Sequence, residues 1–144
     1  MLVRQILGIK GGGDVVTIGA GASVSDAVRL LSEKRIGAVL VADDDGTPIG
    51  ILSERDIVRE LGRRDDSCLR DTVGDMMTKN LVSCSPEDSA DSVLEKMTEG
   101  RFRHIPVMEG SALAGLISIG DVVKARLSEL AMEKDALEGM IKGF

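Results

Sequence analysis

Gly50-Ile51-Leu52-Ser53-Glu54-Arg55-Asp56 returns in the same chain as Gly115-Leu116-Ile117-Ser118-Ile119-Gly120-Asp121. Each copy reads as a glycine, an apolar run, a serine, and an aspartate three positions later. The apolar run predicts a buried strand, and Ser-x-x-Asp predicts the start of a helix. A serine at the N-cap accepts a bond from the third helical amide, and an acid at that third position suits the positive helix end. At both places a strand therefore runs straight into a helix. The junction gathers amide donors, a hydroxyl and a carboxylate around one small space.

Outward from the first copy, Asp43-Asp44-Asp45-Gly46 predicts a hairpin-type turn, with a Val-rich strand over Ile36–Ala42 before it and a strand over Pro48–Leu52 after it. Ala27, Val28, Leu30 and Leu31 recur at helical spacing behind a cap at Ser23 or Ser25. Val15–Ile18 predicts a strand, Gly8–Gly13 a glycine-rich loop, and Val3–Leu7 a helical turn or two. Gly62–Ser67 reads as a polar linker. The order then repeats. Thr72–Met77 resembles the opening turn, Leu81–Cys84 a strand, and Pro86-Glu87 the start of a helix carrying Val93, Leu94 and Met97. Strands over His104–Met108 and Leu113–Ile117 lead to the last helix at Ser118.

The repetition holds residue by residue. Thr17 matches Ser83, Val28 matches Leu94, Gly37 matches Arg103 and Val41 matches Val107, each 66 positions on; Ser53 matches Ser118 and Asp56 matches Asp121, each 65 on. The missing residue falls in the second turn, where loops tolerate deletion. The predicted class is α+β: two β-α-β-β-α repeats with a long C-terminal helix. The expected divisions are 1–66, including an N-terminal helical segment, 67–128, and a helical extension over 129–144. A half of about 60 residues buries too little surface to be comfortable alone, so the halves are expected to pack on each other with pseudo-twofold symmetry and form two equivalent clefts.

The 144 residues carry a net charge of −6 and almost no aromatic side chains, with no Trp or Tyr and only Phe102 and Phe144. The core is therefore aliphatic. Negative charge disfavours binding to nucleic acid or to an anionic membrane, and a chain without aromatics has no platform for stacking single-stranded bases. No apolar run has the length of a transmembrane helix, and no signal-like segment opens the chain, so the expected location is the cytoplasm. Cys68 and Cys84 read as unpaired reduced thiols, and His104 is the single histidine. Gly11-Gly12-Gly13 lacks the Gly-Lys-Ser/Thr ending of a phosphate loop. In the last segment Val123, Leu127, Leu130, Leu137, Ile141 and Phe144 form a heptad-like stripe with Lys134 in the gap. It suits either packing on the chain's own domain or association with a second copy.

The doubled pattern resembles the CBS-domain pair, also called a Bateman module, of the short stand-alone bacterial type. Asp75-Met76-Met77-Thr78, Ser53–Val58, Phe102–Val107 and Ser118–Val123 carry the resemblance, which spans about Val3 to Leu127. It implies a regulatory binding module and not an enzyme, with no catalytic residue or catalytic cofactor and no metal. It implies ligands of the AMP, ADP/ATP, S-adenosylmethionine or NAD(H) class, held in clefts between the repeats. The Ser/Thr-x-x-Asp motif would carry the ribose contact. One cleft is then expected to hold Ser53, Arg55 and Asp56 with Ser83, Arg101, Arg103, His104 and Pro106. The other is expected to hold Ser118 and Asp121 with Val16, Thr17, Ile36, Gly37 and Ala38.

The chemistry fits these assignments. A carboxylate is acceptor-only and takes two bonds at once, as two adjacent ribose hydroxyls require; the plainer alternative is helix capping alone. Arg101, Arg103 and His104 suit phosphate oxygens, against the alternative of a solvated basic patch. The Asp56 cleft, with its arginines, is expected to tolerate more phosphate charge than the Gly37-Ala38 cleft. The leading expectation is an adenine-nucleotide sensor, a homodimer acting on a separate protein partner. The alternative is a structural interaction module with no physiological nucleotide. An enzyme has no nucleophile–base pair or metal cluster in its favour, and a nucleic-acid binder is disfavoured by charge.

Overall fold

The computed structural model describes residues 1–11 and 15–142, so Gly12 and Gly13 of the predicted loop and Phe144 of the predicted stripe lie outside the described residues. The elements run α1 (Val3–Ile9), β1 (Thr17–Gly19), α2 (Val24–Lys34), β2 (Ala38–Ala42), β3 (Pro48–Ser53), α3 (Glu54–Arg64), a 3₁₀ segment (Asp65–Arg70), α4 (Val73–Met76), α5 (Ala90–Gly100), β4 (His104–Glu109), β5 (Ala112–Ser118) and α6 (Ile119–Ile141). The chain divides into two compact units. One comprises 14–82 with 110–113, and the other 1–13, 83–109 and 114–144.

In the first unit β2 is the central strand, parallel to β1 and antiparallel to β3. Ala38, Val39, Leu40 and Val41 are all buried, as a run apolar on both faces requires. Asp43 makes the predicted turn: its Oδ1 accepts from the amides of Asp45 and Thr47 at 3.0 and 2.9 Å, and Gly46 takes φ +83°. Ser23, not Ser25, caps α2, which lays Val24, Ala27 and Leu31 into a core with Val39, Val41, Leu52, Ile57 and Val73.

In the second unit β4 pairs with β5. The strand expected over Leu81–Cys84 shrinks to one parallel bridge, Cys84 to Val107, the counterpart of Ile18 to Val41. Just downstream, Asp88 Oδ2 accepts from the Ser85 amide at 2.9 Å, which ends the pairing after Cys84. The same bond moves the helix start from Pro86-Glu87 to Ala90, with Ser89 as cap. The polar linker expected over Gly62–Ser67 is instead the end of α3 and the 3₁₀ segment, in which Cys68 is buried.

The compact units do not follow the sequence repeats, because each opening helix docks on the other repeat. The α1 amides of Val3 and Arg4 donate to the carbonyls of Asp88 and Pro86, at 2.8 and 2.9 Å. The α4 amides of Val73 and Gly74 donate to Ala22 and Ala20, at 2.8 and 2.9 Å. Ala20 and Ala22 stand 66 positions before Pro86 and Asp88, so the two dockings are equivalent. Burial drives the exchange: Val3 and Ile6 join the core of Val93, Met97, Ile105 and Ile117, while Val73 joins that of Val24 and Leu52.

Candidate functional site

Both predicted strand–helix junctions form. Ser53 Oγ accepts from the Asp56 amide at 3.2 Å, and Asp56 Oδ2 accepts from the Ser53 amide at 3.1 Å and its hydroxyl at 2.9 Å. Ser118 Oγ accepts from the Asp121 amide at 3.1 Å, and Asp121 Oδ2 accepts from the Ser118 amide at 2.9 Å. Each is a reciprocal capping box, here closed by aspartate. The first amide of each helix is used as well, Glu54 donating to Gly37 and Ile119 to Arg103 at 2.9 and 2.8 Å. Within each repeat the acid is therefore fixed beside the entry to that repeat's own middle strand.

Each acid also holds a cation. Arg59, one turn along α3, closes on Oδ1 of Asp56. Lys10, just past α1, lies 3.0 Å from Oδ2 of Asp121 and donates to the Leu116 carbonyl at 2.8 Å. The side chains of Asp56 and Asp121 keep 16% and 24% exposure, enough for an edge of each carboxylate to meet solvent. Partial burial works to raise the Asp121 carboxyl, but the Ser118 amide and the Lys10 ammonium outweigh it and leave the group below its ordinary value. Arg59 follows from its helical spacing to Asp56. Lys10 carries no such signal, since it reaches Asp121 across most of the chain.

The other predicted residues fall on both units. On the first, Thr17 and Arg55 are exposed, Val16, Ile36 and Gly37 are half-buried, and Ala38 is buried, so it offers backbone and wall instead of an open side chain. On the second, Ser83, Arg101 and Arg103 are exposed, His104 is half-buried at the start of β4, and Pro106 is buried. Arg101 ends α5 in the left-handed conformation, φ +57°, as Arg35 ends α2 at φ +55°.

Among the described residues, a polar and an apolar hollow lie on the first unit. The polar one, of about 180 Å³, lies beside Asp56, walled by Arg59, Glu60, Arg63, Arg64 and Asp75. Hydrogen bonds from Arg63 and Arg64 hold the Glu60 carboxyl below its ordinary value. The apolar one, of about 590 Å³, lies against Val28, Leu31, Ile36, Gly37, Ile57 and Leu61, so two of the predicted residues line it. Among the described residues no group of His, Cys, Asp and Glu is placed to hold a metal ion, and no helix is long and apolar enough to cross a membrane.

A duplicated β-β-α hairpin-and-helix with a capping acid at each junction is matched in known proteins. The CBS domain family matches residues 10–63 and again 73–128. The chain belongs to the CBS-domain family, as a tandem pair. It is 34% identical over 125 residues to the CBS domain-containing protein CBSX3, mitochondrial, of Arabidopsis thaliana, a match covering 84% of this chain and 61% of that protein. The chain thus spans about three fifths of that relative's length. The crystal structure of the CBS-domain protein ATU1752 from Agrobacterium tumefaciens is similar with a TM-score of 0.82 at 46% identity, covering 87% of this chain and 92% of that one. The CBS domain protein PAE2072 from Pyrobaculum aerophilum, solved complexed with AMP, is similar with a TM-score of 0.77 at 25% identity, covering 92% and 99%.

Proposed function

We propose that this CBS pair is a regulatory module that binds an adenosine-containing ligand of the AMP, ATP or NAD(H) class, and acts as a homodimer on a protein partner. Asp56 and Asp121 take the ribose hydroxyls, and each site is completed by strand residues of the other repeat. Arg101, Arg103 and His104 serve the phosphates of the Asp56 site. The observation that carries the reading is the doubled capping box, which holds one carboxylate at each helix entrance with an edge open to solvent. The AMP bound to the Pyrobaculum aerophilum relative supports the ligand class.

A second reading draws on the same geometry. Each acid already has a cap and a cation as partners, so an interaction module with no physiological nucleotide needs nothing more from them. Two measurements separate the readings. Acid extracts of the purified protein absorb at 260 nm only if a nucleotide travels with it. A thermal-shift panel of AMP, ADP, ATP, NAD, NADH and S-adenosylmethionine raises the unfolding midpoint for a ligand bound to the native state alone. Asp56→Ala and Asp121→Ala are each expected to lose one site by calorimetric titration, the Asp56 variant losing more for triphosphates. A flat panel, with no absorbing extract, removes the nucleotide reading.

A further inference from the structure

Helix α6 runs for 23 residues, about 35 Å. Its first turns are anchored: Val122 and Ala125 are buried in the core of the second unit, and Arg126 Nε lies 2.9 Å from Asp91. From Leu130 to Lys142 every side chain is exposed, and Gly139 is half-buried. Leu127, Leu130, Leu137 and Ile141 are exposed by 63, 50, 60 and 86% and fall, with Val123, on one seam. A lone stretch of helix this short is marginal in water without a packed face, and an apolar seam in solvent, interrupted only at Lys134, marks a contact surface.

The charges select the occupant. Two parallel copies of the helix put Lys134 against Lys134 in the seam and Glu133 against Glu138 twice. Two antiparallel copies crossing level with Met132 put Leu127 on Leu137, Val123 on Ile141, and Lys134 over Leu130, its stem covering the leucine while its ammonium stays with Glu138, 3.9 Å away on its own helix. Lys124 then flanks Glu138 of the second copy, twice by symmetry. One repulsion remains, Glu133 near its own copy, with both Lys134 ammoniums beside it. The seam is thus self-complementary in the antiparallel sense, as a twofold contact requires.

We propose that α6 pairs antiparallel with α6 of a second copy through Val123, Leu127, Leu130, Leu137 and Ile141. This deepens the homodimer reading above and rests on it. Sedimentation over a dilution series tests it with the full chain. Wild type is expected to be dimeric, and Leu130→Glu/Leu137→Glu to dissociate at least 100-fold more readily, losing by circular dichroism no more helix than the free end of α6 holds, with the nucleotide thermal shift unchanged. Orientation is read from disulfides. Leu127→Cys mixed with Leu137→Cys is expected to cross-link, while neither links to itself; Cys68 and Cys84 are buried and stay silent. A double-glutamate variant as dimeric as wild type overturns the helix contact while leaving the homodimer in place. Self-linking of each cysteine variant overturns the orientation. A monomeric wild type overturns both the contact and the homodimer, whatever the nucleotide shift shows.

Discussion

Asp121 joins a helix cap to an ion pair, and its titration reports on both. Its folded pKa lies below the ordinary carboxylate value of about 3.9. A group depressed in this way adds stability that is present above the unfolded value and lost as pH falls through the folded one. Asp121→Asn keeps an acceptor but removes the charge facing Lys10 and the helix end. It is expected to cost about 0.5–1 kcal/mol at pH 7. The difference from wild type should close as pH falls through the depressed folded-state value of Asp121, when chemical denaturation is followed against pH; a gap that stays constant in acid would mean that the charge is irrelevant. Arg101 offers a second dissection, because its left-handed backbone favours glycine. Arg101→Gly is expected to raise stability by about 1 kcal/mol while weakening phosphate-bearing ligands at the Asp56 site. A variant that is stabler with undiminished affinity would take Arg101 out of that site. Cys84 is pushed up to about 11, chiefly by burial with Asp88 adding to it. Native protein should therefore leave it unlabelled by iodoacetamide at pH 8, and urea should expose it. Ser53, Asp56, Ser118 and Asp121 were legible because a capping box is local, four residues from end to end. Lys10 was not, because its pairing with Asp121 exists only once α1 has crossed to the second repeat.

The elements meet at two glycines in equivalent places. A Cβ on Gly50 would sit 2.4 Å from Met77 Sδ and 3.0 Å from the Thr78 carbonyl, and one on Gly115 would sit 2.6 Å from Leu7 Cδ2. Each lets an opening helix, α4 or α1, close over a strand. Gly115→Ala meets only the end of a flexible leucine, so it is expected to cost about 1 kcal/mol; Gly50→Ala also meets backbone and is expected to cost up to about 3 kcal/mol. Leu7→Ala should rescue the first, and additive losses in that double-mutant cycle would remove the contact. Most elements were legible from local signals: alternation of turn and apolar run gave β2, β3, β4 and β5, and the serine caps gave α3 and α6. The late start of α5 came where a side chain took a backbone bond. Asp88 captured the Ser85 amide, and neither hydropathy nor spacing displays that competition.

At the scale of the chain, the repeat as written and the unit as packed are different objects. Val73, fully buried, lies beyond the first repeat's expected boundary at 66 yet fills the core of Val24, Leu52 and Ile57. Val3 and Ile6 precede the first repeat's strands yet fill the core of Val93, Ile105 and Val107. Sequence periodicity locates the repeats but is blind to this exchange, because α1 and α4 are alike enough to fit either side by pattern. Length alone makes a half marginal, so the place at which the chain is cut has a measurable consequence. A fragment of residues 14–82 keeps α4 and is expected to unfold cooperatively. A fragment of residues 1–66 keeps α1, which finds no partner, and lacks Val73 and Met77. It is expected to be weaker by about 2–5 kcal/mol, the usual cost of emptying a core position, and so to show a broad transition or none in urea. Adding a peptide of residues 67–82 to the short fragment should restore helicity by circular dichroism, whereas a peptide of residues 1–11 should not restore it to 14–66. Equal stability of 1–66 and 14–82 would place the boundary where the periodicity puts it, and make the docking of α4 incidental to the fold.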